Sequence, residues 1–159
     1  MSPMYAIEAA RPHQQSPGGA AADKVREFRW LLQKFQTDLP GVFDAAVVSA
    51  DGVLLARCSA PRAPAPELVS PITSGLAALA FAASSLHGSG PVRRTVLEMR
   101  HGVLAVVAVS DGSLLAVAAD QGTDRAVLGY EMTRLVQRVG HVLTAELRST
   151  LRDHATVAE

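Results

Sequence analysis

The residues of this 159-residue chain that could do chemistry are one cysteine, five histidines, two Asp-Gly phrases and an arginine pair. Cys58 would need a base to form its thiolate, and its place at the end of an apolar run, with no partner visible, reads as a small packed side chain. His13 and His154 lie toward the ends of the chain, His87 at a helix end, His101 in a turn and His141 on the last helix. No pair of them has metal-ligand spacing on one element. Gly88 and Gly90 flank Ser89, but a phosphate loop needs a strand leading in and a Lys following, so "HGSG" reads as a helix stop. Ser110-Asp111 has no base beside it, which leaves a catalytic triad unsupported. Arg93-Arg94 could hold a phosphate or a carboxylate, yet on an edge strand two arginines serve to keep that edge solvated. The reading is therefore no catalytic, cofactor-binding or metal-binding set, and a non-enzymatic protein.

The Asp-Gly phrases are architectural. "VVSADGVLLA" (47–56) and "VAVSDGSLLA" (107–116) each set Asp-Gly between apolar runs, the pattern of a tight hairpin turn. A calcium loop would need further oxygen ligands in register, and neither phrase has them. Around these turns the spacing predicts an amphipathic helix from Asp23 to Leu39, stopped by Pro40-Gly41. Strands follow at 45–50 and 53–58 around Asp51-Gly52. A second helix starts near Pro66-Glu67 and runs through "LVSPITSGLAALAFAASSL", with almost no charge after Glu67. A helix with no solvated face must be covered on most sides, and its small residues allow close approach, so it is predicted to form an interface. Strands follow at 92–99, 103–109 and 113–119. The last two are apolar at successive positions and belong in the middle of a sheet with both faces covered, whereas Arg93, Arg94 and Glu98 mark the first as an edge. Thr123, with Asp124 behind it, caps a final helix with apolar spacing through Leu143, and the chain frays from Arg148. The expected organisation is a flexible tail at 1–22, one domain at 23–148 and a second tail at 149–159.

Composition narrows the class. Fifteen basic and fifteen acidic residues give zero formal charge, so no global field draws the chain to nucleic acid. A single Cys fits a reducing, cytoplasmic setting. No signal peptide is expected from the first residues, and no bilayer-spanning run is expected among the later apolar stretches, so direct membrane insertion is not anticipated.

The order of these elements, together with Pro40-Gly41-Val42, Asp51-Gly52, Ser74-Gly75-Leu76 and Asp111-Gly112, resembles the Roadblock/dynein light-chain superfamily over about residues 28–147. "LGYEMTRLV" and "VLTAELR" look especially like the short bacterial members encoded in actinobacterial operons beside a sensor-kinase-like protein and a small Ras-like GTPase. The resemblance implies an α+β fold of order α-β-β-α-β-β-β-α. Its five-stranded antiparallel sheet would carry the second helix on one face and the first and third on the other. It also implies a homodimer made by the second helices and third strands, binding a small Ras-like GTPase and sitting at the inner face of the membrane through a sensor-kinase-like partner. Some such relatives stimulate GTP hydrolysis by reshaping the GTPase. The interface residues then expected are Gly75, Leu76, Leu79, Ala82 and Ala83 on the second helix, with Arg93, Thr95 and Leu97 on the pairing strand. The competing expectation is a small-molecule-sensing signalling domain, which would need a pocket with convergent polar groups.

Overall fold

The structure is a computed structural model that describes residues 17–156. Most of the segment expected to be an N-terminal tail, and the last three residues, lie outside the described residues. The first helix, α1 (Pro17–Asp38), begins six residues before the expected Asp23. Proline suits the first helical position and Ala20, Ala21 and Ala22 are strong helix formers, so the helix extends back through residues with no apolar stripe. From Val25 onward the predicted stripe is buried: Val25, Phe28, Leu31, Leu32, Phe35 and Leu39 all enter the core.

Strands β1 (Val42–Val48) and β2 (Leu54–Ser59) form the first hairpin, and α2 (Pro66–His87) follows. Strands β3 (Thr95–Met99), β4 (Gly102–Ala108) and β5 (Leu114–Asp120) come next, then α3 (Arg125–Val142) and α4 (Ala145–Thr156). The strands make one antiparallel sheet of order β2-β1-β5-β4-β3. The apolar β4 and β5 are interior and the charged β3 is an edge, as their composition requires.

Alternation divides the sheet. Ala45, Val47, Val103, Ala105, Val107, Leu115, Val117 and Ala119 join the core cluster with α1, α3 and α4. Ala46, Val48, Val106 and Ala116 are buried on the opposite side, where α2 lies.

Two local expectations change, and a proline falls inside a helix. The cap of α3 is Asp124, whose carboxylate accepts the N–H groups of Ala126 and Val127, while Thr123 is buried against the Pro40 carbonyl. Pro71 is the sixth residue of α2, past its first turn, so it leaves the Glu67 carbonyl without its helical donor. The residues expected to fray instead form α4: Thr144 Oγ1 accepts the Leu147 N–H as a cap, and Leu143, Leu147 and Leu151 are buried against the core. Three helices, not two, therefore cover the face opposite α2.

The two Asp-Gly phrases build three-residue loops. The Ser49 carbonyl accepts the Gly52 N–H and the Ser49 N–H reaches the Val53 carbonyl; Val109, Gly112 and Ser113 repeat the pattern. No non-glycine residue among those described has positive φ, whereas Gly52 and Gly112 stand at +84° and +85°. This is a type I turn closed by a bulge glycine, not the two-residue loop expected, in which Asp would also need positive φ. Each aspartate then receives an arginine from α4: Arg152 Nη2 lies 2.6 Å from Asp51 Oδ1 and Arg148 Nη1 lies 2.8 Å from Asp111 Oδ2. Arginines four apart on one helix face thus clip both hairpins.

The Asp51 carboxyl is held below its ordinary value of 3.8, first by the Ser49 hydroxyl, 2.5 Å away, then, against the opposing effect of burial, by its own backbone N–H and the Arg152 charge. A depressed carboxylate contributes stability that is complete above the ordinary value and is lost as pH falls through the lowered one. Ser49→Ala should therefore raise the Asp51 pKa more than Arg152→Ala does, as read by carboxyl-carbon NMR titration. A larger movement in Arg152→Ala would reverse that order of causes.

Candidate partner interface

Helix α2 touches the sheet with little of its surface: among its 22 residues only Val69 and Thr73 are buried. Thr73, Leu76, Ala77, Ala80 and Ser84 continue that inward side at helical spacing, buried or half-buried. One step round the helix, Leu68, Ile72, Gly75, Leu79, Ala82 and Leu86 follow one another at alternating intervals of four and three, and every one is exposed. Leu79 is 70% exposed and Leu86 80%, with Phe81 beside them at 70%. Spacing of this kind is the seam of two helices packed along their length. Here it faces away from the molecule that carries it.

The stop after α2 is a glycine in left-handed conformation, Gly88 (φ 60°), whose N–H and that of Ser89 return to the carbonyls of Ser85 and Ser84. The chain turns through Gly90-Pro91 into β3, and the Ser84 hydroxyl donates to the Gly90 carbonyl across that turn. A hollow of about 550 Å³ lies between the end of α2 and the sheet, lined by Phe81, Ser85, Val92, Arg93, Thr95 and Val106 among others.

In β3, Val96 sits opposite the core residue Ala105 and Glu98 opposite Val103, so these point to the α3 side. Thr95, opposite Val106, and Leu97, opposite Leu104, point to the α2 side. Arg94 follows the parity of Val96. Its guanidinium crosses α3 over Gly129, where a Cβ would overlap it, and Glu98 bonds Arg125 of α3 at 3.2 Å.

Of the residues expected at an interface, Gly75, Leu79, Ala82, Ala83, Arg93 and Leu97 are exposed, while Leu76 and Thr95 are half-buried. The structure brings α2 and β3 to one side of the molecule, and adds Leu68, Ile72, Phe81 and Leu86 to the apolar surface. The signal for three of these was the heptad spacing within a run whose lack of charge alone had drawn notice. That run is also long and apolar enough to cross a membrane, with mean hydropathy 1.4, contrary to the expectation that charges interrupt every such stretch.

The candidate chemistry resolves into structural roles. The Cys58 thiol is pushed up by burial and then by the Asp44 carboxylate, and it donates to Gln36 Oε1, so it stays protonated. Ser110 lies against Gly140 and Asp111 bonds arginine, so neither meets a histidine partner here. Among the described residues no three His, Cys, Asp or Glu side chains gather where a metal could be held.

Comparison with solved structures agrees with this fold. A Roadblock/LC7 domain from Streptomyces avermitilis is 32% identical, with a TM-score of 0.64, covering 70% of this chain and 92% of that one. MglB of Myxococcus xanthus is 14% identical with a TM-score of 0.67, covering 73% of this chain and 94% of its own. The gliding protein MglB of Thermus thermophilus is 20% identical with a TM-score of 0.65, covering 78% and 91%. At such identities the last two report the fold alone. Comparison with curated protein sequences finds no match. The Roadblock/LC7 domain family model matches residues 28–119, more than half of the chain, so the chain belongs to the Roadblock/LC7 family.

Proposed function

We propose that this protein is a non-enzymatic homodimeric regulator that binds a small Ras-like GTPase, in the cytoplasm and in a complex with a sensor-kinase-like membrane protein. The observation that carries the reading is the exposed seam of α2. Six apolar or small residues at heptad spacing, pointing away from their own domain, expose more hydrophobic surface than a monomer needs, and a second copy of the same seam covers it. Pairing the seams sets two α2 helices side by side and joins two domains into one broad surface, on which a GTPase can rest across both copies. The GTPase itself is implied by the family resemblance and by the operon-type motifs at 128–136 and 142–148. Stimulation of hydrolysis needs no catalytic residue from this chain if docking aligns the GTPase's own groups.

The test is capture of partners from lysate of the native host by the purified protein, in parallel with a non-hydrolysable GTP analogue and with GDP, followed by mass spectrometry. Preferential recovery of a small GTPase in one nucleotide state supports the reading and supplies the substrate for a hydrolysis assay. Recovery of none in either state overturns it.

One observation favours the competing reading of a small-molecule sensor: the 550 Å³ hollow has the size of a ligand pocket, with Arg93, Ser84 and Thr95 at its polar margin. It adjoins the C-terminal end of α2. A thermal-shift screen of amphipathic anions decides between a pocket for a ligand and a recess covered by the second copy.

A further inference from the structure

We propose that the hollow between the C-terminal half of α2 and the sheet binds an aliphatic monocarboxylate, with its chain along the sheet and its carboxylate on Arg93. The site does not depend on a GTPase partner.

Packing opens the space. Val69 and Thr73 are the only buried residues of α2, so the helix is seated on the sheet by its N-terminal half and stands off it beyond Thr73. The inward positions that follow, Ala77, Ala80 and Ser84, are too small to close the gap to Val106, Ala108 and Leu114. About 550 Å³ remains, inside the range of about 300–1,000 Å³ typical of ligand pockets.

The edge of the sheet extends it. β3 pairs with β4 only from Thr95, opposite Val106, so residues 92–94 leave the ladder and Ala108 has no strand beside it on that edge. The hollow therefore runs from the β3 edge, past β4, to Leu114 of β5, across strands about 4.8 Å apart. A flexible chain suits such a run, with the exposed Phe81 ring at its rim.

Charge sets the orientation. No Asp, Glu, Lys or His lines the hollow, and Arg94 carries its guanidinium to the other face, over Gly129. Arg93 shares the parity of Thr95, which puts it on the α2 side, and among the described residues it has no ion-pair partner. An unpaired cation at the mouth of an apolar hollow selects a ligand with an anionic head and an apolar body. One guanidinium balances one charge, which favours a carboxylate over a phosphate monoester. The Thr95 hydroxyl, two residues along the same face, offers a donor to the second oxygen.

The site is separate from the seam. Ala77 and Ser84 lie on the inward side of α2, whereas Leu79, Ala82 and Leu86 lie one step round, so the surface that pairs two copies is not the wall of the hollow.

The experiment is isothermal titration calorimetry of the full chain with dodecanoate, decanoate and octanoate, each below its micelle concentration. Burial of the chain predicts that binding weakens about fifteenfold for each pair of methylenes removed. Dodecyltrimethylammonium, with the same chain and the opposite charge, should bind at least about tenfold more weakly than dodecanoate, and Arg93→Gln should remove that preference. Ala108→Leu fills the hollow from the sheet and Ala77→Leu from the helix; whichever retains the wild-type circular dichroism should lose dodecanoate binding. No saturable heat with dodecanoate overturns the site, as does an affinity independent of chain length or undiminished in both filling variants. Equal binding of the two charges, or a preference that survives Arg93→Gln, overturns the role of Arg93. Binding to the Ala82→Trp variant but not to the unaltered protein would mean that a second copy fills the hollow, and would also overturn the site.

Discussion

Asp44→Ala should cost the fold about 3–5 kcal/mol, the range for removing one partner of a buried ion pair. Arg57 Nε and Nη2 grip Asp44 Oδ1 and Oδ2 at 2.8 and 2.7 Å, and the two side chains are only 10% and 8% exposed. The Asp44 carboxylate raises the Arg57 pKa, against the opposing effect of burial, so the guanidinium cannot escape its position by losing a proton. Without Asp44 it is left as an uncompensated, largely buried charge on the sheet. Domains of this size hold roughly 5–15 kcal/mol in all, so the variant should unfold at markedly lower denaturant. Arg57→Met in the same chain should restore most of the loss, because an apolar pair of similar volume removes the unpaired charge. Denaturant titration of the two variants checks both statements, and a loss below about 1 kcal/mol in Asp44→Ala would show that the pair is not needed. The pair also bears on function: Arg57 Nη2 donates to the Pro64 carbonyl at 2.7 Å, two residues before α2 begins. The anchor that stabilises β1 and β2 thus sets where the interface helix leaves the sheet.

What could be read beforehand followed contrast between neighbouring positions. The stripe of α1, the unbroken apolar runs of β4 and β5 and the charged edge of β3 each differ from what surrounds them, and each is where that difference places it. Helix α2 offered no such contrast. With almost no charge on any side, its sequence announced a helix that must be covered on most sides but not which side met the sheet, and the outcome runs against simple hydrophobicity. Val69, Thr73 and small residues face the sheet, while Leu68, Ile72, Leu79 and Leu86 face outward. Close packing on a flat β surface favours small side chains, and the larger ones are left for a surface outside the domain. Helix α4 was missed because its stripe is only Leu147 and Leu151 in a polar segment, and its ion partners, Asp51 and Asp111, are distant in sequence. The Ser-Asp-Gly repetition was legible as two hairpins. That the same two aspartates anchor the last helix depends on their lying side by side in space, with Gly112 against Ala50, and no spacing along the chain carries that.

Ala82→Trp should convert the protein from a particle of twice 16.7 kDa to one of 16.7 kDa, while leaving its circular dichroism unchanged. Ala82 is exposed in the middle of the α2 seam, between Leu79 and Leu86, so an indole there meets nothing in its own domain. Across the seam, helices separated by about 8–10 Å have room for a methyl group at such a position and not for a ring. Overpacking costs typically about 1–3 kcal/mol, and symmetry imposes it twice, which weakens association by about thirtyfold or more. Multi-angle light scattering across a dilution series reads the change directly. A variant that kept the wild-type mass at every concentration would place the self-contact away from Ala82. The same variant separates the two roles assigned to α2. If the GTPase rests on both copies together, the monomer loses it; if it touches a single copy elsewhere, capture survives the loss of the dimer. Retained binding by a folded monomer would therefore move the GTPase contact off the paired α2 surface without disturbing the case for self-association.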